Sequence, residues 1–218
     1  MNAKEMAAGF KKINEIAMKA VGTGDYQTAI AVFKEGLALE EKLGLTVQMS
    51  ESHANIGNAY YSAGEYNEAL SHLRKALELF QKTSKTESII AASLTISTIL
   101  EIMEDNAGAQ KQLDSALRIA RNGEQRGMIQ YRIACLCVKE KNYYKAQETF
   151  GRALMEMERL NRREDMLLCL LTRASLFMQM DRQMLASRDI ARAKSIAQGS
   201  DRLKNSFSSA AAELGLEY

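Results

Sequence analysis

A triplet of apolar residues, in the order small, large, small with spacings of four and three, recurs five times along the chain. Successive copies begin forty residues apart, except for one interval of thirty-seven residues. A repeat of this length predicts an array in which each unit buries its apolar surface against its neighbours rather than in one central core. The five copies are Ala29, Phe33, Gly36; Ala69, Leu73, Ala76; Ala109, Leu113, Ala116; Ala146, Phe150, Ala153; and Ala186, Ile190, Ala193.

Apolar residues elsewhere recur with the period of an α-helix. The chain contains no proline, so the residue that most strongly breaks helices is absent. Short breaks at 22–25, 62–65, 103–106, 139–142 and 179–182 each come shortly before a triplet, which predicts a turn inside a helix hairpin. Looser breaks separate one hairpin from the next, near Gly44, Ser84, Gly123, Arg162 and Ser200.

These breaks predict an all-α chain with ten helices in five hairpins and an eleventh helix as a cap. The expected repeats are residues 5–44, 46–84, 86–123, 124–161 and 163–199, followed by a capping helix at about 201–217. The sequence shows no linker or low-complexity segment, so we expect one array over residues 1–218.

The second repeat carries the most specific motif. It resembles the tetratricopeptide pattern W-x2-L-G-x2-Y…G-x-Y-x2-A-x3-F-x2-A, with only the tryptophan and the phenylalanine replaced. The period of forty residues without a closing proline resembles the longer-helix variant of kinesin light chains, GoLoco-bearing spindle scaffolds and Rap-type bacterial regulators. This resemblance implies a right-handed superhelical solenoid. The matching residues are His53, Ile56, Gly57, Tyr60, Gly64, Tyr66, Ala69, Leu73 and Ala76.

In tetratricopeptide arrays the first helix of each hairpin lines a concave groove that binds a peptide or protein, and the resemblance implies the same here. In the longer-helix variant, asparagines of the first helix bind the backbone of an extended peptide. Asn55 and Asn58 resemble these asparagines, and the resemblance implies the same role. The alternative is that both are solvated surface residues. The expected groove residues are Asn14, Met18, Asn55, Asn58, Tyr61, Leu94, Thr95, Thr98, Tyr131, Arg132, Cys135, Leu171, Ser175 and Met178.

Other kinds of site find little support in the sequence. The positions that bind a chaperone carboxylate in some tetratricopeptide domains hold no lysine. Cys135 and Cys137 point to different sides of a helix, and Cys169 lies on another hairpin, so we expect packing roles rather than a metal site. His53 and His72 are likewise expected to pack. No phosphate loop, nucleophile motif or zinc motif occurs, so we expect no enzyme activity, cofactor or metal.

Charge and hydropathy restrict the class of partner. The formal net charge is +2, and the arginines of the C-terminal third alternate with acidic residues, so local ion pairs are expected and nucleic acid is disfavoured as a partner. The N-terminal segment contains Glu5 and Glu15 and lacks the apolar core of a signal peptide, and no apolar run reaches membrane-spanning length. We therefore expect a cytoplasmic protein without a membrane partner.

These observations predict a scaffold or adaptor that holds a protein or peptide segment in its groove. The main alternative is a regulatory protein that controls a signalling partner, as Rap-type regulators do. RNA binding and an accessory role to an enzyme remain as lesser alternatives. Self-association through the terminal hairpins, giving a homodimer, stays open at the level of sequence.

Overall fold

The computed structural model describes residues 3–216, with side chains from Ala8 onward, and over this range it contains eleven α-helices and no strand. The all-α prediction is therefore confirmed. The helices are α1 (Ala3–Gly22), α2 (Tyr26–Leu43), α3 (Thr46–Ser62), α4 (Tyr66–Lys82), α5 (Thr86–Ile102), α6 (Asn106–Ile119), α7 (Gly123–Lys139), α8 (Tyr143–Arg159), α9 (Arg163–Gln179), α10 (Gln183–Ala197) and α11 (Asp201–Glu213).

Consecutive helices pack as antiparallel pairs joined by short turns. Helix α1 packs on α2, α3 on α4, α7 on α8, and α9 on α10, while residues 103–105 connect α5 to α6. These turns coincide with the breaks that the sequence predicts. Helix α11 contacts α9 and α10 at the position expected for the cap. Residue 217, the last of the predicted cap, lies outside the described residues.

The chain divides into two compact units, which we call unit 1 (1–112) and unit 2 (113–218), with the division inside α6. In unit 1, each of the helices α2 to α4 packs on the helix before it and the helix after it. In unit 2, α8, α9 and α10 each pack in the same way on the helices before and after them, and α9 also contacts α7 and α11. A single array over the whole chain stays a prediction.

One residue in the turn of each hairpin has a left-handed backbone. Gly64 (φ 81°) ends the turn after α3, and the following N–H of Glu65 donates to Tyr60 O at 2.9 Å, which closes the helix end. Glycine adopts this conformation without strain, whereas a residue with a Cβ is strained by about 1 kcal/mol. The equivalent residues are Gly24, Glu104, Lys141 and Asp181.

The recurring triplets form the contacts inside and between hairpins. All of their residues are buried except Ile190, which is half-buried. A Cβ atom at Gly57 would lie 2.7 Å from Leu73 Cγ and 3.2 Å from the carbonyl oxygen of Ala69, so α3 and α4 cross there at the closest approach that glycine allows. In this hairpin the triplet residues Ala69 and Leu73 form the crossing, and in the first hairpin a Cβ atom at the triplet residue Gly36 would lie 3.1 Å from Ile13 Cγ2.

Candidate functional site

Unit 1 has a cleft of about 210 Å³ between α3 and α5, which are the first helices of the second and third hairpins. Helix α4 supplies the apolar part of the lining through Leu73 and Phe80, which are both buried. Small and polar side chains of α3 and α5 form the remaining walls. The full lining is Glu51, Ala54, Asn55, Asn58, Leu73, Phe80, Ser88, Ala91, Ala92 and Thr95.

Three of the predicted groove residues, Asn55, Asn58 and Thr95, line this cleft. Asn55 and Asn58 are three residues apart on α3 and therefore share one face of the helix. Asn58 is exposed and Asn55 is half-buried. Neither side-chain amide makes a hydrogen bond to another part of the described chain. Each amide can donate and accept at once, as a peptide backbone requires.

The only charged residue among those that line the cleft of unit 1 is Glu51, which sequence reasoning missed. Its Oε1 accepts a hydrogen bond of 2.7 Å from Lys85 Nζ, and Lys85 stands at the N-terminus of α5. Glu51 precedes Asn55 by four residues, so extending the asparagine stripe by one turn would have found it. Ala54 and Ser88 were missed for a different reason, because small residues outside the repeating triplets carry little sequence signal.

The other predicted groove residues of unit 1 lie outside the cleft. Tyr61 is half-buried and its ring packs against that of Tyr66, with centroids 6.2 Å apart. Thr98 donates its hydroxyl hydrogen to Leu94 O at 3.0 Å. Asn14 and Met18 are both exposed on α1.

In unit 2, Tyr131 of α7 has a packing role that the sequence did not reveal. Its hydroxyl lies 3.1 Å from Thr172 Oγ1 on α9, and its ring centroid lies 6.0 Å from that of Phe150 on α8. Burial raises the pKa of Tyr131 above its usual range, an effect that the nearby Cys135 reinforces. Tyr131 therefore connects three helices, and its replacement is expected to affect stability as well as the surface.

The remaining predicted residues of unit 2 differ in exposure. Arg132 and Cys135 on α7 and Ser175 on α9 are half-buried, and Met178 is exposed. Leu171 is fully buried, so its assignment to the groove is wrong. The side chain of Leu171 turns into the helix packing of unit 2, and a periodic apolar sequence does not distinguish that face from the groove face.

The cysteines and histidines have packing environments. Cys137 and Cys169 are fully buried, and burial raises the pKa of both thiols. His53 is buried on α3 and contacts His72 on α4. Among residues 3–216, no group of three or more histidine, cysteine, aspartate or glutamate side chains is placed to hold a metal ion.

Most of the arginines in the C-terminal third form ion pairs with nearby carboxylates, as predicted. Glu156 accepts from Arg126 at 2.9 Å and from Arg159 at 3.1 Å, and Arg192 donates to Glu158 at 2.7 Å. Arg173 forms a buried pair with Asp189. Helices of sufficient length and apolarity to cross a bilayer are absent from the part of the chain that the structure describes.

Two family profiles match separate parts of the sequence. The tetratricopeptide repeat matches residues 46–122, and subunit 5 of the anaphase-promoting complex matches residues 134–205. The first match contains α3 to α5 and therefore the whole cleft of unit 1.

Similar proteins have the same helical architecture. The curated response regulator aspartate phosphatase I of Bacillus subtilis (strain 168) is 29% identical over 91 residues, which are 42% of this chain and 23% of that protein. The crystal structure of aspartyl phosphate phosphatase F from B. subtilis has a TM-score of 0.84 at 14% identity and covers 96% of this chain and 56% of that one. A putative kinesin light chain of Podosopora anserina with TPR-like repeats has a TM-score of 0.71 at 17% identity, and the match covers 88% and 96% of the two chains.

Residues 46–122 thus match the tetratricopeptide repeat, as the second repeat predicts, and the chain has a tetratricopeptide-like helical fold. The profile match and the solved structures agree on this fold. At 14% and 17% identity the two structures establish the fold alone. The curated match spans about a quarter of the relative, so the activity and the partners of that protein do not follow for this chain.

Proposed function

We propose that this chain is a protein-binding adaptor whose unit 1 cleft holds an extended peptide or a segment of a protein. The observation that carries the proposal is the pair of amides of Asn55 and Asn58, which face the cleft without partners elsewhere in the described chain. Asparagine is a poor residue in the middle of a helix. Binding of a ligand backbone by both amides would explain why two such residues occur on one turn of α3.

The lining of the cleft also fits this kind of ligand. Leu73 and Phe80 provide an apolar surface, while Ala54 and Ala91 leave room between the two helices. A ligand side chain could bury apolar area there, and the asparagines could satisfy the ligand's backbone N–H and C=O groups. Small-molecule sites generally occupy cavities of at least about 300 Å³, so this cleft suits one side chain of a longer segment.

A second candidate is a regulatory protein that controls a signalling partner. It is favoured by the similarity to two proteins described as a response regulator aspartate phosphatase and an aspartyl phosphate phosphatase. Both candidates use binding and need no catalytic residue in this chain. All three cysteines are free thiols, which supports a reducing compartment such as the cytoplasm.

The test begins with selection from a library of random displayed peptides on the purified full-length protein. Selected peptides are then titrated calorimetrically against wild type and the double variant Asn55→Ala, Asn58→Ala. Loss of two neutral hydrogen bonds should weaken binding by about 2 kcal/mol, roughly thirtyfold. Circular dichroism and the melting temperature should not fall, because alanine is the better helix former.

The matched control is Asn67→Ala, an exposed asparagine of α4 that does not line the cleft. It should leave the affinity unchanged. Equal affinities of the double variant and wild type would contradict the proposal. The regulatory candidate requires more: a signalling protein captured from native extract should change activity when the chain is added, and a selected peptide should reverse that change.

A further inference from the structure

We propose that the unit 1 cleft selects ligand segments that carry a lysine or an arginine, whose cation binds to Glu51. This inference rests on the proposed function and names the chemistry that the ligand must have. The asparagine amides are uncharged and do not determine which charge the ligand carries. The inference follows instead from the charged residues in and around the cleft. The ligand is therefore a basic extended segment. Its backbone binds the amides of Asn55 and Asn58, and one of its cationic side chains binds Glu51, which lies one helical turn before Asn55 on α3.

Glu51 is well placed for this contact. It is the one charged residue that lines the cleft among the described residues, and its side chain is 57% exposed. Lys85 occupies Oε1, and no described group donates to Oε2. A carboxylate can accept several hydrogen bonds, so a ligand cation can bind Oε2 while Lys85 keeps Oε1.

The surroundings of Glu51 add negative charge. Glu40 of α2 is 4% exposed, and no described residue donates to its Oε2. Burial, and after it the charges of Glu51 and Glu41, raise the pKa of Glu40, which means that these acidic groups act on one another. In the sequence of unit 1, acidic residues outnumber basic ones, whereas the reverse holds for unit 2. A cation entering the cleft meets a favourable field.

The opposite preference, for an acidic ligand, would depend on Lys85 and on the positive end of the α5 dipole. Two observations weigh against it. Lys85 does not line the cleft, and its ammonium group is already engaged by Glu51. Glu87 lies in the first turn of α5 and offsets the positive charge of that helix end. The net preference is therefore for a cation.

The experiment uses the same displayed library on the full-length protein, followed by calorimetry with selected peptides. Lysine or arginine should be enriched at one fixed position, and replacing it by glutamine in the peptide should weaken binding to wild type. Glu51→Gln should reduce the affinity about fivefold, the upper end for an exposed ion pair. The matched control is Glu78→Gln, which removes an exposed carboxylate paired with Lys82 at the same 2.7 Å but outside the cleft.

The variant Lys85→Gln separates the two signs of charge. It frees Glu51 and should leave the affinity unchanged or increase it, whereas an anionic ligand would bind more weakly. Selected peptides without a basic position, or peptides that resist Glu51→Gln while still losing affinity in Asn55→Ala, Asn58→Ala, would overturn this inference and leave the proposed function intact. Failure to select any peptide that depends on the two asparagines would overturn both.

Discussion

The Nδ1 atoms of His53 and His72 lie 3.0 Å apart and join α3 to α4 inside the hairpin that carries the cleft. One ring must donate and the other accept, so the contact requires at least one neutral imidazole. The groups that face this pair carry mostly positive charge or none. They are Lys34 and Glu41 of α2, Tyr60 of α3 and Lys75 of α4.

The histidine contact predicts that stability falls as the solution is acidified. Burial, and after it the charges of His53, Lys34 and Lys75, lower the pKa of His72 from 6.5 to about 4. Between these two pH values the unfolded chain binds more protons than the folded chain, so the free energy of unfolding decreases as pH falls. Since the pair is only partly buried, we expect a loss on the order of 1 kcal/mol.

Urea unfolding of wild type and of His72→Gln at pH 7 and pH 5 measures this contribution. The advantage of wild type over the variant should be smaller at pH 5 than at pH 7. Proton NMR can follow both rings directly, because the chain has two histidines. A His72 signal that titrates near 6.5, with an equal difference between wild type and variant at both pH values, would contradict the assignment.

Glu40 predicts a pH effect of the opposite sign. Its buried carboxyl has a raised pKa, chiefly because of burial. The charged form is therefore disfavoured in the folded state, and its destabilising effect increases as pH rises above 4.5. Glu40→Gln should stabilise the protein at pH 7 by about 1 kcal/mol. The gain should shrink towards pH 4.5.

Thermal unfolding at several pH values tests the Glu40 prediction. The control is Glu41→Gln, which removes the same charge from an exposed position next in the chain. If both variants gave the same change, the effect would come from net charge and not from burial.

The helix crossing at Gly57 predicts different results for two glycine-to-alanine changes. Gly57→Ala places a methyl group 2.7 Å from Leu73 Cγ and should destabilise the protein by about 1–3 kcal/mol, with Gly57→Leu at least as damaging. Gly151→Ala lies in α8 with no atom within 4 Å of the new methyl group, so it should stabilise by about 0.5–1 kcal/mol. Urea unfolding measures both changes, and a loss of stability of equal size in the two variants would refute the close crossing.

The sequence predicts the helices well because their boundaries are local. Turns with a left-handed residue such as Gly64 and periodic small residues such as Ala69 each leave a mark in a short window. The asparagines of the cleft were predictable for the same reason. The His53–His72 contact depends on how α3 lies against α4, across nineteen residues of sequence, and has no local mark. Leu171 was misplaced because groove and interior faces of a repeat helix can both be apolar.

The arginines of the C-terminal third also show what a sequence pattern does not reveal about packing. Alternating charge predicts local pairing, and Arg152 does pair with Glu148 on the surface at 2.6 Å. The same reasoning does not distinguish Arg173 from the exposed arginines, yet Arg173 and Asp189 form a buried pair with two hydrogen bonds of 2.7 and 2.9 Å. Asp189 is 1% exposed. Burial, which the charge pattern does not reveal, decides how much each pair matters.

The buried pair predicts a strong asymmetry between single and double replacements. Asp189→Ala should cost about 3–5 kcal/mol because it leaves the Arg173 guanidinium buried without a counter-charge. Glu148→Ala breaks an exposed pair and should cost no more than about 1 kcal/mol. The double variant Arg173→Met, Asp189→Leu removes both charges and keeps apolar volume, so it should be more stable than Asp189→Ala. Urea unfolding of wild type and these variants gives the comparison. A double variant less stable than Asp189→Ala would show that Arg173 stabilises α9 mainly through its packing over the Phe177 ring, 5.7 Å away, and not through the ion pair.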